Sequence, residues 1–210
     1  MTRIKICGIT NIDDARIAVE CGSHALGFNF YRPSPRFITP EAARRIISEL
    51  PEDVLTVGVF VNEESPTDVE RIAAEACVGA IQLHGDESPR YCRKIKALPV
   101  IKAFRVGADF SPSETTRYEV DSILLDAFAF GTRGGTGHTF DWTVARRARE
   151  LMNKLYLAGG LTPDNVAEAI VAVRPYAVDV CSGVESKPGT KDAARLNRFV
   201  EAVRHANVKT

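Results

Sequence analysis

Cys7 is the residue in this sequence best placed to do chemistry. It closes the alternating run Arg3-Ile-Lys-Ile-Cys7 and is followed directly by Gly8. If that run is a strand, Ile4 and Ile6 share one face while Lys5 and Cys7 share the other. A cation beside a thiol favours the thiolate, which serves as a base or a nucleophile. A lone cysteine more often fills space as a small buried hydrophobe, but a strand C-terminus is a better address for a reactive group than for a packing one. Asp126 is the natural partner. Its carboxyl emerges from the apolar run Ile123-Leu-Leu, where partial burial raises a carboxyl pKa and suits a general acid. The structural alternative is an ion pair with Lys5 or Lys102.

Other residues have the character of a binding site. Leu155-Tyr-Leu-Ala-Gly-Gly160 and Ala177-Val-Asp-Val-Cys-Ser-Gly183 read as two buried strands that end in small, glycine-containing turns. Turns at Gly159-Gly160 and Ser182-Gly183 present backbone N–H groups with no side chain in the way, and a following helix adds the positive end of its dipole. The combination suits a phosphate. Arg36 or Arg32, in the proline-stiffened loop Tyr31-Arg-Pro-Ser-Pro-Arg-Phe37, offers a fork for a substrate carboxylate, with a solvated surface arginine as the alternative. Gln82, His84 and Asp179 fall on the same inward faces as Cys7, as do Asn29 and Cys181, and are read as lining the site. Gly131-Thr-Arg-Gly-Gly-Thr-Gly-His-Thr139 lacks the lysine and the glycine spacing of a nucleotide-binding P-loop. It is read as a glycine-rich lid over the sixth strand, with Trp142 as a packing anchor.

The elements that must carry these residues alternate along the whole chain. Strands are expected near 3–7, 24–30, 55–61, 80–84, 100–105, 122–127, 154–159 and 177–182, with helices near 12–21, 40–50, 66–77, 88–97, 143–153, 163–174 and 191–206. The stretch 109–118 is poorly patterned. Asn11, Thr39, Ser65, Ser88 and Thr162 stand as caps before proline or acidic first turns. Eight βα units favour an α/β fold closed as a (β/α)₈ TIM barrel, with residues 1–210 as one domain. Polar groups near strand C-termini are costly as barrel packing and are better explained as an active site.

Bulk composition narrows the partners. The 210 residues are 45% hydrophobic, with 27 basic and 27 acidic side chains. That balance supplies no field for nucleic acid or for an anionic membrane, so any anion must be gripped locally. No run approaches a membrane span and the N-terminus starts a strand without a signal peptide. Five scattered cysteines without a CxxC pair give no zinc pattern, and with the other features point to a reducing cytoplasm. Cys21, Cys77 and Cys92 are expected to pack in helices.

Taken in order, Lys5-Ile-Cys-Gly-Ile-Thr10, Ser34-Pro-Arg36, Val57-Gly-Val-Phe-Val61, Gln82-Leu-His-Gly-Asp86, Leu125-Asp126, Gly134-Gly-Thr-Gly137, Thr139-Phe-Asp-Trp142, Ala158-Gly-Gly-Leu161 and Val178-Asp-Val-Cys-Ser-Gly-Val-Glu185 resemble the phosphoribosylanthranilate isomerase family of tryptophan biosynthesis. The resemblance spans essentially the whole chain. It implies an Amadori rearrangement of a phosphorylated aminosugar, without metal or organic cofactor, by a monomer or homodimer. It further implies that Cys7 is the general base, Asp126 the general acid and Arg36 the partner of the anthranilate carboxylate, with the turns at Gly159-Gly160 and Ser182-Gly183 holding phosphate. Cys181 stands where the family usually has serine, and His138 where lysine or glutamate is common. Another phosphosugar isomerase, an indole-glycerol-phosphate synthase and a non-catalytic phosphosugar-binding barrel are the rival readings.

Overall fold

The computed structural model describes residues 1–126 and 142–209. Eight parallel strands, β1 (Arg3–Cys7), β2 (Ala25–Asn29), β3 (Leu55–Phe60), β4 (Ala80–Leu83), β5 (Val100–Arg105), β6 (Ser122–Asp126), β7 (Leu155–Ala158) and β8 (Ala177–Val180), close into a barrel in sequential order. The seam is the β1–β8 pair, with Lys5 opposite Asp179 and Ile6 opposite Val180. Around it run α1 (Ile12–Cys21), α2 (Pro40–Ile47), α3 (Pro66–Ala76), α4 (Pro89–Cys92), α5 (Trp142–Leu151), α6 (Val166–Val173) and α7 (Ala193–Lys209). A 3₁₀ segment at Pro112–Arg117 takes the place of the helix after β5, where the sequence carries no clear pattern.

Strand alternation divides the apolar side chains into two layers. Ile4, Ile6, Leu26, Phe28, Ile81, Leu83, Ile123 and Leu125 point outward and pack under the helices. The inward set is smaller: Ala25, Val57, Ala80, Ile101, Ala103, Leu124, Tyr156, Ala158 and Ala177 fill the barrel, alternating small and large so that the layers interdigitate. Because both faces are covered, the strands read as nearly continuous apolar runs. The caps follow the sequence closely at four helices: Asn11, Thr39, Ser65 and Ser88 each accept a backbone N–H of the first turn.

Several boundaries depart from expectation. α4 is a single turn, because after Cys92 the chain turns toward the short link that feeds β5. α6 begins at Val166 rather than after Thr162; Asn165 instead folds back, accepting from the Thr162 N–H at 2.8 Å and donating to the Gly160 carbonyl at 3.0 Å. Cys77 is not a packing residue. It is exposed and caps α3 in the left-handed region at φ 58°. The last helix was expected from residue 191, but a hairpin precedes it: β9 (Glu185–Lys187) pairs antiparallel with β10 (Thr190–Lys191) around a turn at Pro188-Gly189. This hairpin brings two charged residues to the barrel mouth. The glycine-rich stretch Gly131–Thr139 and its assignment as a lid lie outside the described residues. Trp142, at the start of α5, is half-buried against the outer core, as a packing anchor would be.

Candidate active site

Cys7 and Gly8 from β1, Asn29, Arg36, Gln82 and His84, Asp126, Gly159-Gly160, Asp179 and Cys181-Ser182-Gly183 surround one cavity at the C-terminal end of the barrel. Its volume is about 440 Å³, within the range of small-molecule sites. A larger groove of about 540 Å³ lies outside it, between the loop after β2 and α3. None of the ionisable groups of the smaller cavity lines that groove, so volume alone is a poor guide here. All nine residues singled out from the sequence for catalysis or substrate binding, namely Cys7, Arg36, His84, Asp126, Gly159, Gly160, Asp179, Ser182 and Gly183, line the smaller cavity.

Beneath the thiol, Lys5 is fully buried and donates to Asp179 Oδ1 at 2.9 Å. Burial works to lower the Lys5 pKa, yet the Asp179 carboxylate and the Cys7 sulfur outweigh it and the net shift is upward. Asp179 is pushed up to about 6, by burial first and with Lys5 pulling back. Taken as an isolated pair these directions conflict, since a good partner should hold the carboxylate low. Burial outweighs the partner, and the Cys7 sulfur adds to it. Lys5 answers two anions, so Asp179 has only a share of its charge. Lys102, the other lysine considered for Asp126, faces away from the cavity. It is buried in the outer layer with Glu87 at 2.8 Å and also donates to the Leu83, Gly85 and Ala103 carbonyls, pinning the loop that carries His84.

Asp126 meets neither lysine. Its Oδ2 lies 3.2 Å from His84 Nε2, and His84 Nδ1 lies 2.7 Å from Gln82 Nε2. With the Gln82 amide in that orientation, Nδ1 accepts and the Nε2 hydrogen faces Asp126. His84 is therefore an orienting contact for the carboxyl group.

Arg36 is held in the loop after β2 by Glu185, accepting Nε at 2.9 Å and Nη2 at 2.6 Å. That fork leaves Nη1 and the outer hydrogen of Nη2 for a ligand, so the edge offered to a carboxylate is narrower than the sequence suggested. Glu185 also accepts from Lys191 Nζ at 3.0 Å, and Lys191 donates to the Cys7 carbonyl at 2.6 Å. Burial raises a carboxyl pKa, but Arg36 and Lys191 overcome it and hold Glu185 at about 2. Sequence reasoning gave no role to Glu185 or Lys191. Lys191 was placed in a helix, and only Pro188-Gly189 hinted at a turn that would bring it back to the first strand.

Two glycine turns face the cavity on one side. Gly160 takes φ 66°, open to left-handed backbone without penalty only for glycine, and the space beside its Cα is empty. At Gly183 a Cβ would overlap the Leu161 carbonyl, so the two turns are in backbone contact.

A closed barrel with ionisable groups gathered at the strand C-termini, beside two small-residue turns, defines the class of (β/α)₈-barrel enzymes. Residues 4–202 match the family model for N-(5'-phosphoribosyl)anthranilate isomerase, and the chain belongs to that family. The N-(5'-phosphoribosyl)anthranilate isomerase of Trichlorobacter lovleyi is 52% identical over 98% of this chain and 100% of its own length. Among solved structures, phosphoribosylanthranilate isomerase of Thermotoga maritima superposes with a TM-score of 0.87 at 45% identity, covering 98% of this chain and 100% of that one. A phosphoribosylanthranilate isomerase in complex with reduced 1-(o-carboxyphenylamino)-1-deoxyribulose 5-phosphate gives a TM-score of 0.84 at 44% identity, with the same coverage of both chains. The protein is accordingly an isomerase of tryptophan biosynthesis.

Proposed function

We propose that Cys7 is the general base and Asp126 the general acid of the rearrangement of N-(5'-phosphoribosyl)anthranilate to 1-(2-carboxyphenylamino)-1-deoxyribulose 5-phosphate. The observation that carries this reading is the placement of Cys7 next to the buried ammonium of Lys5, on the same cavity as Asp126. Asp126 protonates the furanose ring oxygen while the anilino nitrogen drives the ring open to an iminium. The Cys7 thiolate then takes the proton from the ribose C2, and the enolamine tautomerises to the ketone. The step suits a soft base because the adjacent iminium acidifies that C–H bond.

The turns at Gly159-Gly160 and Ser182-Gly183 grip the phosphate, and the outer edge of Arg36 meets the anthranilate carboxylate. Fixing both ends of the substrate holds the reacting carbons between base and acid. The related complex with the reduced product analogue supports a ligand of this size and charge. The test is the decay of anthranilate fluorescence when enzyme meets freshly generated phosphoribosylanthranilate. Cys7→Ala and Asp126→Asn are each expected to lower kcat by about 10² to 10⁴ while substrate still binds. Wild-type decay with either variant removes that residue from the mechanism.

A further inference from the structure

Cys181 and Cys7 meet at the barrel seam. The β1–β8 register pairs Ile6 with Val180, so the next residues on each strand, Cys7 and Cys181, emerge side by side. Both residues line the same cavity. Room for the Cys7 sulfur exists because residue 27 has no side chain: a Cβ at Gly27 would stand 2.8 Å from that sulfur and 3.2 Å from Lys5 Nζ.

One thiol proton lies between these two sulfurs once Cys7 ionises, and the charges around them decide which sulfur keeps it. Cys7 faces Lys5 from its own strand, with His84 across the cavity and Lys191 behind its carbonyl. Cys181 Sγ makes a long hydrogen bond to Glu185 Oε1 at 3.7 Å and accepts from Lys191 Nζ at 3.9 Å, with Arg36 beyond. Asp179, one turn of the pleat below, is shared with Lys5. Lys5 stands against Cys7, whereas the two cations near Cys181, Arg36 and Lys191, are already shared with the Glu185 carboxylate.

Glu185 is a poor acceptor for the Cys181 proton. Its Oε1 already receives Arg36 Nε at 2.9 Å, Lys191 Nζ at 3.0 Å and the Gly189 N–H at 3.3 Å, which exceeds the two lone pairs of a carboxylate oxygen. Across the β1–β8 seam, an ionised Cys7 sulfur is the competing acceptor.

We propose that Cys181 is a positioning residue for the base: its thiol donates a hydrogen bond to the Cys7 sulfur and holds that sulfur as thiolate. The proposal rests on the reading of Cys7 as the base. The Cys7 pKa lies well below that of an ordinary thiol, with the Cys181 hydrogen bond as the largest cause and burial opposing it, whereas the Cys181 pKa is raised. A hydrogen bond to an ionised group of ordinary strength corresponds to a displacement of about one to two pH units.

Two readouts test it. Alkylation of Cys7 by iodoacetamide, followed against pH by peptide mass spectrometry so that exposed Cys77 is read separately, reports the Cys7 thiolate directly. The acidic limb of kcat/KM reports the catalytic base. Cys181→Ala is expected to move both midpoints upward by about one pH unit or more, with KM little changed. Cys181→Ser, which keeps a donor, is expected to restore both most of the way. An unchanged alkylation midpoint in Cys181→Ala overturns the hydrogen bond, and equal shifts in the serine and alanine variants overturn donation as its cause. An alkylation shift without a shift in the kinetic limb overturns the role in the reaction. Full turnover by Cys7→Ala instead removes the base reading itself, and leaves the alkylation result to stand or fall separately.

Discussion

Lys191 Nζ donates to the Cys7 carbonyl at 2.6 Å, so a buried lysine from β10 is anchored on the final residue of β1. The same ammonium meets Glu185 at 3.0 Å and its side chain is fully buried. Removing it leaves Glu185 with Arg36 as its cation and the Gly189 N–H as a neutral donor, and Cys7 without one of its cations. Breaking a buried pair from one side typically costs about 3 to 5 kcal/mol. Lys191→Met is expected to lose stability toward the lower end of that range, because Arg36 remains. The measurement is the urea midpoint at unchanged slope.

Glu185 and Asp179 make opposite contributions to the pH dependence of stability. The folded pKa of Glu185, about 2, lies below the ordinary 4.5, so the unfolded chain binds more protons in that interval. Its stabilisation, roughly 3 kcal/mol, is present above pH 4.5 and is lost as pH falls toward 2. Asp179, at about 6 in the fold against 3.8, binds its proton more tightly when folded. Its contribution favours the fold below pH 3.8 and is lost as pH rises through 6. Unfolding free energies measured across this range are expected to show a shallower acid loss in Glu185→Gln and no decline between pH 4 and 6 in Asp179→Asn attributable to this site. A wild-type slope in both variants would contradict the assignment.

His84 Nε2 meets Asp126 Oδ2 at 3.2 Å and orients the carboxyl group. A hydrogen bond to a charged group is worth about 1.5 to 3 kcal/mol, or roughly 10- to 100-fold in rate if it is needed only for the acid step. His84→Ala is expected to lower kcat by about tenfold with little change in KM. A KM effect alone would make His84 a substrate contact instead.

The two glycine turns should respond differently to a methyl group. At Gly160 the added methyl enters open space and costs only left-handed strain, about 1 to 2 kcal/mol of stability. At Gly183 it drives into the Leu161 carbonyl and pushes both turns apart. Gly183→Ala is expected to raise KM about tenfold more than Gly160→Ala, an extra loss of about 1.4 kcal/mol in uniform binding. Steady-state kinetics on the two variants compare them directly.

The barrel was legible because each strand is a short apolar run of fixed period and four of the helices open on a side-chain cap. Alternation at Ile4 and Ile6 placed Lys5 and Cys7 inward, and the same alternation along the fourth and eighth strands placed Gln82 and Asp179 there. What did not show was which cation meets which anion. Lys5 and Lys102 stood as equal partners for Asp126, yet they lie on opposite faces of their strands and pair with Asp179 and Glu87. Such pairing depends on side-chain reach across the closed barrel, which period-two reasoning does not encode. The β9–β10 hairpin escaped for a different reason: its strands are three and two residues long, too short to carry a hydrophobic period.

The seam between β1 and β8 also gives the site a history. Lys5 and Asp179 are 174 residues apart, Arg36 and Glu185 149, and Cys7 and Lys191 184. Cys7 precedes Asp179, Glu185 and Lys191 in synthesis by most of the barrel. Contacts of such sequence separation close the longest loops of the chain and carry the largest closure entropy. The groups that surround Cys7 therefore come together only where the first and last strands of the barrel meet.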